Sequence, residues 1–69
     1  MKLKKLLTLT NNYNFIVVRN MMGEDIIKGK VFQCWDDYTN NIFVYGVLNS
    51  KVLKITYDPE AKETIIIIK

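Results

Sequence analysis

The residues that could perform chemistry in this chain begin with one thiol. Cys34 is the only cysteine, and the sequence contains no histidine. General acid–base catalysis at neutral pH most often uses histidine, and a nucleophilic thiol needs a nearby base or cation. Cys34 is followed instead by Asp36 and Asp37, whose carboxylates disfavour a thiolate. We therefore predict that the protein is not an enzyme and that Cys34 is a small buried apolar residue.

The second chemical feature is a group of oxygen ligands within six residues, formed by Asp36, Asp37, Asn40 and Asn41. A calcium loop needs ligands at fixed alternate positions, a glycine and a bidentate glutamate, and this segment has none of that pattern. One cysteine without histidine cannot supply a zinc site. The three glycines are isolated and form no phosphate-binding loop. The sequence predicts no metal, no cofactor and no small-molecule substrate.

Lysines near aromatic residues suggest nucleic-acid binding as an alternative function. Single-strand-binding barrels stack bases on exposed aromatic rings beside basic side chains. The candidate contacts are Lys2, Lys4, Lys5, Lys28, Lys30 and Lys54. The net charge is +3, and the first three of these lysines account for that excess, so residues 6–69 are formally neutral. The body of the chain thus lacks the positive charge that would bind phosphates, and nucleic acid is the disfavoured partner.

Aromatic residues in a polar segment offer a protein contact. Trp35 and Tyr38 lie in the stretch WDDYTNN, and both residue types are enriched at the energetic centres of protein interfaces. The alternative is that Trp35 covers one end of the hydrophobic core, as large aromatic residues in small domains commonly do.

The chain ends in four consecutive isoleucines and Lys69. In a strand, Ile65 and Ile67 point to one face and Ile66 and Ile68 to the other. Two interpretations remain open. The strand is central and covered on both sides, or Ile66 and Ile68 form an exposed face that contacts another subunit. The predicted partner is accordingly a protein or a second copy of the chain.

The elements that must position these residues are five short strands and one helix. Leucines at an i, i+3, i+4 spacing favour an amphipathic helix within 1–10, although the threonines there also suit a strand. β-Branched and aromatic runs around Gly23 predict a hairpin over 15–34. A loop or a single helical turn is expected at 35–41, a second hairpin at 42–58 and a final strand at 63–69.

Together these elements predict one mainly β domain, at the margin of the α+β class. The strands suit a small antiparallel sheet or a partly open barrel of the SH3-like or OB-like type. No apolar stretch approaches the roughly 20 residues of a membrane span, and the opening MKLKKLLTLT is too short for a signal peptide. A lone cysteine fits a reducing compartment. We expect a cytoplasmic protein without a membrane partner.

Three segments carry a resemblance to known sequences: KLKKLLTLTNNYNFIVVRN, MMGEDIIKGKVF and the short apolar strand after DPEAKE. In these segments the chain resembles small uncharacterised proteins from bacterial and phage genomes. The resemblance implies a phage or mobile-element setting. It implies no functional residue, because the shared features are strand pattern and turn placement.

Overall fold

The computed structural model describes residues 1–38 and 46–69, with the backbone alone at 36–38. The elements follow the order α1 (Leu3–Leu9), β1 (Phe15–Arg19), β2 (Asp25–Lys30), α2 (Val31–Tyr38), β3 (Val52–Asp58) and β4 (Glu63–Ile68). The mainly β class and the N-terminal helix are confirmed. In the described residues the sheet has four strands, one fewer than predicted.

The sheet is mixed and does not close into a barrel. Its strand order is β2-β1-β4-β3. The outer pairs are antiparallel hairpins, whereas the central pair β1 and β4 is parallel, with Val17 opposite Ile65 and Val18 opposite Ile66. The expectation of a wholly antiparallel sheet is therefore wrong at its centre. The two inner strands come from different hairpins. The chain between these hairpins passes through α2, which provides the long connection that parallel strands need.

Both helices pack on the same side of this sheet, which we call the inner face. The register places Ile16 and Val18 of β1 on that face beside the even-numbered isoleucines of β4. These side chains form one buried core with residues from the helices: Leu3, Leu7, Val31 and Cys34. Each buried aliphatic side chain stabilises the fold by about 1.5–3 kcal/mol. The opposite side of the sheet is called the outer face.

The first hairpin is shorter than its apolar sequence suggests. Strand β1 ends at Arg19 because the side chain of Asn20 takes over the backbone donors of the turn. Its Oδ1 atom accepts hydrogen bonds from the N–H groups of Met22 and Glu24, at 2.9 and 3.0 Å. Gly23 completes the turn with a φ of 84°, a value that suits glycine.

Strand β2 ends earlier than predicted, because residues 31–34 begin helix α2. The side chain of Gln33 reaches back, and its Oε1 accepts a hydrogen bond from the Lys30 N–H at 2.8 Å. This is one half of a capping box, with the glutamine at the third helical position. Gly29, with a φ of 154°, makes room for that side chain. Residues 35–38 of the predicted turn at 35–41 are thus the second half of a helix that starts at Val31, and residues 39–41 lie outside the described residues.

The predicted second hairpin is also paired differently. Residues 42–45 of the expected third strand lie outside the described residues, and 46–48 are helical. The hairpin partner of β3 is instead β4. Asp58 fixes the turn between them, since its Oδ1 accepts hydrogen bonds from the N–H groups of Glu60 and Ala61 at 3.0 and 3.3 Å. Among the helices that the structure describes, none is long and apolar enough to cross a membrane.

Candidate protein-binding surface

Strand β3 carries three apolar side chains that are exposed. Leu53, Ile55 and Tyr57 are 45%, 51% and 59% exposed. Ile55 lies opposite Ile66 and Tyr57 opposite Thr64, so both side chains are on the inner face, beyond the area that the helices bury. Leu53 lies at a bulge in the same strand. Alternating apolar residues are typical of a strand with one buried face, and here that face is uncovered.

The same strand forms one edge of the sheet. On one side β3 pairs with β4, and on the other side only its start is paired within the described residues. There the Val52 N–H donates to the Met1 carbonyl and the Leu3 N–H donates to the Ser50 carbonyl, both at 2.9 Å. On this second side, residues 53–58 have no strand beside them in the described part of the chain. An edge with such unpaired backbone groups is a template for pairing with another chain. We call this edge and the three apolar side chains the β3 surface.

Two opposite charges lie near the ends of that unpaired segment. Lys54 is opposite Ile67 and Thr56 is opposite Ile65, so both project from the outer face. Asp58, two residues further on, projects from the same face and lies opposite Glu63. The β3 surface therefore has an apolar row on the inner face and a lysine, a threonine and an aspartate on the outer face.

The isoleucine run lies in a central strand of the sheet, as the first of the two interpretations predicted, and the second interpretation fails. Ile66 and Ile68, expected as partner contacts, are 1% and 3% exposed and belong to the core. Ile65 and Ile67 point to the outer face and are only half-buried. The hypothesis that the even-numbered isoleucines contact a partner is therefore wrong. The reason is that α1 and α2 lie on the face to which Ile66 and Ile68 point, and the odd-numbered pair faces away from them.

The two predicted aromatic contacts have different outcomes. Trp35 is half-buried and packs against the core, as in the alternative interpretation of that residue. The side chain of Tyr38 lies outside the described residues.

Cys34 is buried within α2, with its Sγ atom 3.8 Å from the Lys30 carbonyl oxygen. Among the described side chains, no three histidines, cysteines or carboxylates are grouped to hold a metal ion.

The structure divides the candidate nucleic-acid contacts between the two sides of the sheet. Lys28 and Lys30 lie on β2 opposite Val17 and Phe15 and project from the outer face, as Lys54 does at the far edge. Lys2, Lys4 and Lys5 belong to the start of α1, which packs on the inner face. The six lysines therefore form no single basic surface.

Carboxylates also accompany the outer-face cations. The Arg19 Nε atom lies 2.7 Å from Asp25 Oδ1, and the Lys28 Nζ atom lies 3.9 Å from Glu63 Oε2. These acids reduce the positive potential that a nucleic acid would meet. Phe32, which falls within the predicted hairpin over 15–34, lies instead on α2 with its ring centre 6.0 Å from that of Tyr13.

In the sequence, the alternation of Leu53, Ile55 and Tyr57 with polar residues is typical of a half-buried strand. This alternation could not identify the row as exposed, because that depends on where the helices end on the inner face. One signal was present in the sequence, because Lys54 lies within the row and Asp58 directly follows it, and charged residues are common on exposed edge strands. No protein-family model, curated protein or solved structure matches the chain.

Proposed function

We propose that the protein is a non-enzymatic binding module that acts in the cytoplasm through protein–protein contacts at the β3 surface. The observation that supports this proposal most directly is the exposure of Ile55 and Tyr57 on an edge strand. A cytoplasmic location is consistent with the single cysteine, which cannot form an intrachain disulfide.

The form of the edge suggests the form of the partner. An extended protein segment can add a strand beside residues 53–58, with main-chain hydrogen bonds supplying affinity. Alternate side chains of that segment would contact Ile55 and Tyr57 on the inner face, because strand side chains alternate between faces. Removing the exposed half of each side chain from water contributes about 1 kcal/mol. The partner is thus expected to present an extended segment with apolar residues at alternate positions.

The distribution of charge favours a protein partner over a nucleic acid. The lysines that could bind phosphate are on two sides of the sheet, and Arg19 and Lys28 already face carboxylates. A phosphate backbone requires several cations along one path. The β3 surface needs no such path, because its exposed area is apolar and its edge offers backbone groups.

Selection from a random peptide library displayed on phage tests this proposal. The immobilised proteins would be the native chain, the Ile55→Lys variant and the Leu9→Lys variant. Leu9 is an exposed leucine on α1, so Leu9→Lys makes a comparable change away from the β3 surface. We expect the native chain and Leu9→Lys to enrich the same peptides, with apolar residues at alternate positions.

The Ile55→Lys variant should lose at least about tenfold in affinity for those peptides. The reason is that binding would bury a charged lysine where the native chain buries an apolar side chain. Amide hydrogen exchange on the bound native chain should slow within residues 53–58. Peptides that bind Ile55→Lys as tightly as the native chain, or protection confined to other strands, would show that β3 is not the binding surface.

A further inference from the structure

We infer that the extended segment that binds the β3 surface is β3 of a second copy of this chain. The inference rests on the proposed function, since it identifies the partner of the same surface. The two strands would run antiparallel about a two-fold axis perpendicular to the sheet. The two sheets would then form one continuous sheet across both copies, with the same residues contributed by each.

The pleat restricts how the two strands can align. Residues directly opposite each other must project to the same face, so the two-fold axis must pass beside a residue and not between two residues. An axis at Ile55 would pair Leu53, which lies at the bulge of β3, with Tyr57 of the second copy. The N–H of Val52 already donates to the carbonyl of Met1, and the first residues occupy that part of the edge. An axis at Thr56 avoids them and uses only residues 54–58.

The register centred on Thr56 matches unlike side chains across the axis. Lys54 lies opposite Asp58 of the second copy on the outer face, and the symmetry makes this ion pair twice. Ile55 lies opposite Tyr57 of the second copy on the inner face, where both side chains are exposed in the single chain. Thr56 lies opposite Thr56 of the second copy. Opposite charges, aromatic with β-branched residues, and threonine pairs are all favourable cross-strand neighbours.

The other edge of the sheet lacks this self-complementarity. Strand β2 carries Lys28 and Lys30 on one face, and an antiparallel pairing centred on Lys28 would bring two lysines together. Like charges directly opposite each other are unfavourable cross-strand neighbours, and lysines on an edge strand oppose its association. The contrast between the two edges selects β3 as the strand that pairs with a second copy.

A charge exchange tests both the partner and the register. In the Lys54→Glu variant, two glutamates would face two aspartates across the axis, and in the Asp58→Lys variant two lysines would face two lysines. Each variant alone should therefore have a dimer dissociation constant raised at least about tenfold over that of the native chain. A mixture of the two variants brings glutamate opposite lysine and aspartate opposite lysine, so a heterodimer should form with near-native affinity.

Sedimentation equilibrium over a range of concentrations measures these affinities. Asp58 also accepts hydrogen bonds in the β3–β4 turn, so Asp58→Lys affects the hairpin as well. Circular dichroism of each variant at the same temperature establishes that it is folded before mixing. A change in hairpin stability cannot explain association that returns on mixing, because each chain in the mixture still carries its own substitution. A native chain that stays monomeric, or a mixture that associates no better than its components, would overturn the inference.

A cysteine at the axis gives a second, independent test. Directly opposite residues in an antiparallel pair have Cα atoms about 4.5–5.5 Å apart, which is within the range of a disulfide. The Thr56→Cys variant should form a covalent dimer under mild oxidation. The Thr8→Cys variant, which alters an exposed threonine of α1, should not. Equal cross-linking of both variants, or none at position 56, would contradict the register.

The outcomes separate this inference from the proposed function. A monomeric native chain whose β3 surface still enriches peptides would refute pairing between copies and leave protein binding at the surface intact. A chain that neither enriches peptides nor associates would refute both. A dimer that is unchanged by Lys54→Glu would show association through another surface and would refute the β3 register.

Discussion

The four isoleucines of β4 show how one residue type serves two purposes within a single strand. Ile66 and Ile68 pack beneath the helices, whereas Ile65 and Ile67 face outward and remain half-buried. The alternation itself was predictable, because side chains in a strand alternate between faces. Which face is covered was not, since nothing in a uniform run distinguishes odd from even positions.

The difference in burial between Ile66 and Ile65 predicts that removing one methylene group destabilises the fold unequally at the two positions. Ile66→Val removes one methylene group from a buried site and should lower the free energy of unfolding by about 0.5–1.5 kcal/mol. Ile65→Val removes the same group from a half-buried site and should cost less than about half of that value. Urea denaturation of both variants measures the comparison. Equal losses would mean that the outer face is as well packed as the inner face.

At the scale of elements, the junction between β2 and α2 is where sequence reasoning failed most clearly. Val31 and Phe32 favour strands, so the apolar pattern extended β2 into what is a helix. The signal that could have corrected this is Gln33 at the third position of a helix, reaching back to the Lys30 N–H. That signal is weak in sequence, because a single glutamine occurs in many contexts.

The junction predicts a coupling between Gly29 and Gln33. A Cβ atom at Gly29 would lie 2.7 Å from Gln33 Oε1, and moving that side chain would break its hydrogen bond to Lys30. Gly29→Ala should therefore lower the free energy of unfolding by about 1–3 kcal/mol. In a Gln33→Ala background the additional loss should be smaller, because the clash and the hydrogen bond are both already gone.

A second glycine provides the control for the double-mutant cycle of Gly29 and Gln33. Gly23 also has a φ that favours glycine, but no atom lies within 4 Å of its missing Cβ. Gly23→Ala should cost about 1 kcal/mol through backbone conformation alone and should be additive with Gln33→Ala. Additivity of Gly29→Ala with Gln33→Ala in denaturant titrations would contradict the proposed contact.

At the scale of the whole molecule, the sequence predicted the strand-rich class but not the way its hairpins join. Turn residues such as Asn20 and Asp58 mark where chains reverse, and they act locally. The parallel pairing of β1 with β4 depends on contacts between distant segments, and no local pattern encodes it. The exposed β3 surface follows from that pairing, which is why the candidate site could not be located beforehand.

Self-pairing through β3 predicts a stability that depends on concentration. A partner that binds only the folded chain raises its stability by mass action. The melting temperature of the native chain should therefore rise by about 3–6 °C for each tenfold increase in protein concentration. The Lys54→Glu variant should show a smaller rise over the same range. Differential scanning calorimetry measures both, and a concentration-independent native transition would contradict a β3 dimer.

The parallel contact between β1 and β4 also has a consequence for biosynthesis. Ile16 pairs with Thr64 and Arg19 with Ile67, so paired residues of the two central strands are 48 positions apart in the sequence. During translation, β1 and β2 emerge from the ribosome long before β4 does. The edge of β1 that pairs with β4 therefore stays unpaired during that time. Contacts of such long sequence separation slow folding. The isoleucines of β4 therefore join the sheet late, and the nascent chain cannot complete the sheet until they have emerged.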